Sequence, residues 1–152
     1  MSNHSSVPAR CIEKLNGPRI TVKANGRLAT FLNPDRAEIK KIDVDCWLRH
    51  VSGLRSDFLL VKAGIVDVII ELKGKDIDHA VKQILATLDH WKLTPLCSPR
   101  FGALVVFTRS PKRSTTLDNL KLKLLNKRKI WIEMGKSGLR NYEFDMFTGT
   151  NP

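Results

Sequence analysis

The chain has 152 residues, 42 % of them hydrophobic and 27 % charged, a length and balance that suit one globular domain with a sizeable core. No apolar run of about 18 residues exists to cross a membrane, and the start, MSNHSSVPARCIEKLNG, lacks the apolar centre of a signal peptide, so a cytoplasmic protein with no membrane partner is expected. Net charge is +11, and residues 109–140 carry ten basic side chains against two acidic ones, an excess that points either to a polyanionic partner or to a solvated helix face.

Residues 1–16 show no pattern and read as loose. RITVKANGRLATFL at 19–32 reads as a hairpin: Ile20 and Val22 alternate with polar residues, and Asn25-Gly26 suits a tight turn. Asn33-Pro34 resembles an N-cap followed by proline, which predicts a short helix over roughly 34–41 carrying Glu38. In KIDVDCWL, Ile42, Val44, Cys46 and Leu48 alternate with Asp43, Asp45 and Trp47, the period of a strand. DFLLVK and VDVIIELK follow as two more strands around Ala63-Gly64-Ile65. KDIDHAVKQILATLDHWK is an amphipathic helix with Ile77, Ala80, Val81, Ile84, Leu85, Leu88 and Trp91 in one stripe. FGALVVFTR reads as a strand covered on both faces, TTLDNLKLKLLNKR as a basic helix with Leu117, Leu120 and Leu124 inward, and KIWIEM as a last strand. YEFDMFTGTNP has no assignment. The expected fold is a single mixed α/β domain spanning 1–152 around one central sheet. No repeat or linker divides it.

Glu71 and Lys73 interrupt a strand built for burial, and strongly charged side chains are rarely buried without a partner. Residues two apart in a strand share a face, so these two point together and away from Val66, Val68, Ile70 and Leu72. A three-residue loop at Ala63-Gly64-Ile65 pairs Lys62 with Val66 and places Asp57 opposite Glu71. A two-residue loop would instead drive the Asp57 carboxylate into the apolar face. Opposed Cβ atoms lie about 4.5–5.5 Å apart, so the two carboxylates repel unless a cation lies between them. A hard divalent ion with oxygen ligands at about 2.0–2.1 Å fits that gap, and the Leu72 carbonyl is a further candidate ligand. Lys73 would add a mobile positive charge for a phosphate or a water. Such a set suits metal-assisted attack of water on a phosphodiester.

The pattern Ser56-Asp57, then Glu71-Leu72-Lys73, then a helix, resembles the PD-(D/E)xK nuclease superfamily over roughly residues 34–109. The resemblance implies a restriction-endonuclease-like fold with an α-β-β-β-α-β core, preceded here by the hairpin and followed by a basic extension over about 110–140. It implies Mg²⁺ or Mn²⁺ held by Asp57 and Glu71, with Lys73 as third member. Some members add an acid from the preceding helix, for which Glu38 is the matching position and Asp45 its rival. Others place a Gln on the following helix, where Gln83 stands. The motif's proline is Ser56 here. E-x-K is a weak signal alone, since Glu38-Ile39-Lys40 repeats it. The competing reading is an ion-pair ladder on a solvated sheet face, which would add little to stability.

Gln83 is read either as a phosphate or lysine contact or as an exposed helix residue. Asp67, sharing the Glu71 face, is read as an exposed charge, with support of the metal ligands the alternative, and Trp47 as packing, with base stacking the alternative. Lys75, Arg109, Lys112, Arg113, Lys121, Lys127 and Arg128 are the candidate contacts to a DNA or RNA backbone. Many members of the superfamily act as dimers, and the tail around Tyr142, Phe144 and Phe147 is the candidate homodimer interface. Cys11, Cys46 and Cys97, without a CxxC, read as reduced thiols rather than zinc ligands or disulfide partners. The expected activity is metal-dependent hydrolysis of nucleic acid. The alternative is an inert module of the same fold that docks on nucleic acid or an acidic partner protein.

Overall fold

The computed structural model describes residues 6–72, 77–108, 119, 123–124 and 126–148. Among them, nine strands form two sheets. They are β1 (Ile12–Leu15), β2 (Arg19–Ala24), β3 (Arg27–Leu32), β4 (Ile39–Asp43), β5 (Phe58–Lys62), β6 (Val66–Glu71), β7 (Phe101–Phe107), β8 (Ile130–Lys136) and β9 (Asn141–Glu143). A short helix, α1 (Val44–Trp47), follows β4, and the long helix α2 (Ile77–Trp91) crosses from β6 to β7. The six-stranded sheet runs β1-β4-β5-β6-β7-β8, antiparallel as far as β6 and parallel from there. The parallel half needs a long crossover, which α2 supplies between β6 and β7.

The hairpin forms where Asn25-Gly26 predicts it, with φ of 55° and 72° at the two turn residues. It does not extend the central sheet. Together with β9 it makes a separate three-stranded sheet packed across one face of the larger one. There Ile20, Val22, Ala29 and Phe31 meet Leu60, Val68, Ile70 and Leu104. The opposite face packs Leu59, Val61, Ile69 and Val105 under Ala80, Val81, Ile84, Leu88 and Trp91 of α2. The central strands are therefore apolar on both faces, Asp67 and Glu71 of β6 excepted, which is why FLLV and FGALVVF read as unbroken runs. Helical backbone continues at 119, 123–124 and 126–128, where Leu124 is buried against the α2 side, while Leu117 and Leu120 lie outside the described residues.

Several expectations are corrected. Residues 12–15 are a strand, not a loose segment. No helix occupies 34–41: Asn33 donates its side-chain amide to the Gly17 and Ala37 carbonyls, and this turn feeds directly into β4. The expected strand through residues 42–48 breaks at Asp43, whose carboxylate accepts the Cys46 amide at 3.0 Å and caps α1. Local capping chemistry wins there over a period-two pattern. Cys11 and Cys46 form a disulfide, with Cα atoms 5.6 Å apart. The antiparallel pairing of β1 with β4 brings Ile12 beside Ile42 and so carries the two cysteines together across 35 residues of sequence. Structural disulfides are rare in the cytosol, so this bond weighs against the reduced setting expected. No helix among the described residues is long and apolar enough to cross a membrane.

The tail is also corrected. Tyr142, Phe144 and Phe147 are 1 %, 2 % and 0 % exposed, stacked around Phe31 at centroid distances of 5.1–5.6 Å. They complete the chain's own core and present no dimer surface. Two glycines make room for them. A Cβ on Gly135 would lie 1.6 Å from the Tyr142 hydroxyl, and one on Gly102 would lie 2.4 Å from the Phe147 Cβ.

Candidate functional site

The register argued from charge is the register observed. Lys62 pairs with Val66 and Phe58 with Ile70 around the three-residue loop, with Gly64 at φ 75°. The ladder ends there. Asp57 does not take the next place opposite Glu71. Its amide donates to the Ile70 carbonyl at 3.1 Å, and its own carbonyl accepts the Val44 amide at 3.2 Å. Its carboxylate nevertheless reaches the residue just past β6, where Oδ2 accepts the Leu72 amide at 2.7 Å. Asp57 is half-buried and Glu71 is 1 % exposed. Asp57 is thus bonded to the backbone of the residue next to Glu71.

The segment that delivers Asp57 has no regular structure, so side chains hold it. Arg55 forms an ion pair with Asp45 at 3.2 Å and donates to the carbonyls of Leu48 and Val51. Gly53 adopts φ 114°, a conformation open to glycine. From above, α2 clamps the same segment. Gln83 donates to the Arg55 carbonyl at 3.1 Å, and the Thr87 hydroxyl accepts the Ser56 amide at 2.8 Å while donating to the Gln83 carbonyl at 3.0 Å. Gln83 and Thr87 are four apart and share a helix face. Sequence reasoning missed Thr87 and Arg55. The available signal was a polar residue inside the apolar stripe of α2.

These residues border an open groove of about 510 Å³, lined by Asn25 of the hairpin turn, Asp45, Leu54, Arg55, Asp57 and Gln83. Asp45, Asp57 and Gln83 are therefore brought together as expected candidates. Glu38 is not. It precedes β4 at the end away from the groove and pairs with Lys14 at 3.8 Å. Lys127 and Arg128 lie on helical backbone, Lys127 exposed and Arg128 half-buried and paired to Asp89 of α2. Lys73, Lys75, Arg109, Lys112, Arg113 and Lys121 lie outside the described residues. Trp47 is 6 % exposed and packs edge-on against Trp91 at 5.7 Å, in the core rather than in the groove.

Asp67, read as exposed, is fully buried. Its Oδ2 accepts the Trp91 indole N–H at 2.7 Å and the Ser98 amide at 2.6 Å, and its Oδ1 accepts the Ser98 hydroxyl at 2.6 Å. Burial pushes its carboxyl above the usual carboxylate range, and these donors only partly offset that.

Among the described residues no three His, Cys, Asp or Glu side chains cluster closely enough to share an ion. The candidate ligands for one are the carboxylate of Asp57, which lines the open groove, the buried carboxylate of Glu71 and the Leu72 carbonyl. An all-oxygen set completed by water is the kind that magnesium or manganese accepts. No family model, curated protein or solved structure matches the chain.

Proposed function

We propose that the chain is a metal-dependent nuclease of the PD-(D/E)xK type, with Asp57 and Glu71 holding Mg²⁺ or Mn²⁺ and Lys73 assisting. The observation that carries this reading is the Asp57 carboxylate bonded to the Leu72 amide, which ties the first acid to the strand end bearing the second. Bound there, the ion would activate a water and offset charge on the scissile phosphate. Gln83 and Thr87 fix the backbone before Asp57, so the acid is presented at small entropic cost when the ion arrives. Asp45, held by Arg55, is a further acid in the groove. The basic segment beyond β7 would track the nucleic-acid backbone without reading bases.

The test is incubation with plasmid, single-stranded DNA and RNA in the presence of Mg²⁺ or Mn²⁺. Cutting that Lys73→Ala abolishes supports the reading. Absence of cutting on every substrate, or equal cutting by the variant, rejects it. Salt-sensitive binding without cutting would leave the inert docking module in its place.

A further inference from the structure

The groove beside Asp57 does not stop at Phe58. A second open cavity of about 480 Å³ adjoins it, lined by Arg10, Ile12, Glu13 and Lys41, and shares Asp43 and Phe58 with the first. The two form one trough across the end of the central sheet, with Phe58 where they meet. The disulfide joins the turn before β1, which borders the second cavity, to α1, which borders the first. The two halves are thereby held in fixed relation.

The two halves differ in chemistry. Near Asp57 the lining is acidic, with Asp43, Asp45 and Asp57 against Arg55 alone among the cations lining that cavity. Beyond Phe58 it gains two cations, Arg10 and Lys41, against one further acid, Glu13. Phe58 is half-buried, and the Lys41 ammonium stands 5.0 Å from its ring centroid. Leu54, 40 % exposed, adds an apolar contact in the first cavity. An aromatic ring on the floor of a charged trough, with a cation held against it, is the arrangement that takes a base on the ring and a phosphate on the cation. A base within a duplex is already stacked and paired, and its face is closed to such a ring.

From this we infer that the trough takes an unpaired nucleic-acid strand: a base stacks on Phe58, Lys41 and Arg10 hold the adjoining phosphate, and the neighbouring phosphate lies at Asp57. The inference rests on the nuclease reading of the Asp57 half and names its substrate class. Asp43 is engaged as the cap of α1, so it opposes the strand less than its position suggests.

The test is binding of the full chain, in EDTA, to labelled single-stranded DNA, single-stranded RNA and a blunt duplex of equal length, followed by fluorescence anisotropy across a salt series. A single strand of either sugar should bind about tenfold more tightly than the duplex. Phe58→Leu keeps apolar volume against the hairpin sheet but removes the ring, and should weaken single-strand binding about tenfold. Lys41→Gln should flatten the single-strand salt slope by about 0.7. Duplex binding should not move in either variant. Duplex binding as tight as single-strand binding overturns the inference, as does unchanged single-strand binding by both variants with native circular dichroism. Because no metal is present, the outcome is separate from catalysis. A strand preference without any cutting refutes only the nuclease reading, and cutting without the preference refutes only this one.

Discussion

The two ends of β6 carry one acid each, Asp67 and Glu71, on the same face of the same strand under the same helix. Both are buried. At the Asp67 end the chain supplies a dedicated donor for each contact: the Trp91 indole from the last turn of α2, and the amide and hydroxyl of Ser98 from the loop behind it. That end is closed, and its acid is a structural fastener between strand, helix and loop. At the Glu71 end a second carboxylate, Asp57, is bonded to the adjoining backbone, and an open groove lies alongside. A charged residue on a buried strand is therefore not in itself a functional sign. What separates the two is what the neighbouring segments bring: donors from helix and loop at Asp67, and at Glu71 a second carboxylate that itself borders an open groove.

Substitutions at the two ends should separate the roles. The largest effect is expected at the open end. Asp57→Asn can still accept the Leu72 amide, so the fold should persist while metal-dependent cleavage falls about a hundredfold or more; the measurement is cleavage rate alongside a thermal melt. If Asp57→Asn instead unfolds the protein, the open end is as structural as the closed one.

At the closed end the order should reverse. Asp67→Asn sets an amide against groups that are already donors, and should cost about 1–3 kcal/mol. For a chain of this size that lowers the melting temperature by about 2–4 °C per kcal/mol. Cleavage below the melting range should be unchanged. The acid also gives a pH signature. Because burial raises the Asp67 carboxyl above its ordinary value of 3.8, the folded chain keeps this proton where the unfolded chain has released it. Its contribution to stability is greatest in acid and declines as pH rises from 3.8 through the raised folded value. The gap in melting temperature between wild type and Asp67→Asn should narrow over that window, and a gap that widens would refute the assignment.

A comparable loss is expected away from β6. Gly135→Ala places a methyl group against the Tyr142 hydroxyl, and overpacking of this kind costs about 1–3 kcal/mol. The smallest effect should come from Thr87→Val, which strips the Ser56 amide of its acceptor and costs about 1 kcal/mol. Its informative reading is kinetic: a drop in cleavage rate larger than the change in stability would mark Thr87 as a positioning residue for Asp57.

Much of the central sheet was legible. Alternation and unbroken apolar runs located β5, β6, β7 and β8, and the stripe from Ile77 to Trp91 located α2. The register of β5 on β6 followed from the cost of burying Asp57 on the wrong face. The candidate site was legible in its acids and in Gln83, but not in Arg55 and Thr87, which act on the backbone. Glu38 was misplaced because proline after asparagine looked like a helix start, whereas the Asn33 side chain spans the turn to Gly17 and Ala37.

By itself the sequence determined the hairpin, the strands β5 to β8, the helix α2, the tight turns at Asn25-Gly26 and Gly64, and which side of β6 its acids occupy. Those features depend on residues a few positions apart, where periodicity and turn chemistry act directly. Only the tertiary structure decided that the hairpin leaves the central sheet, that Cys11 meets Cys46, that the aromatic tail closes the core, and that Asp67 is enclosed while Asp57 borders a groove. Each of these is a contact between segments far apart in the chain, and such contacts are chosen by the total burial they achieve together rather than by any local pattern.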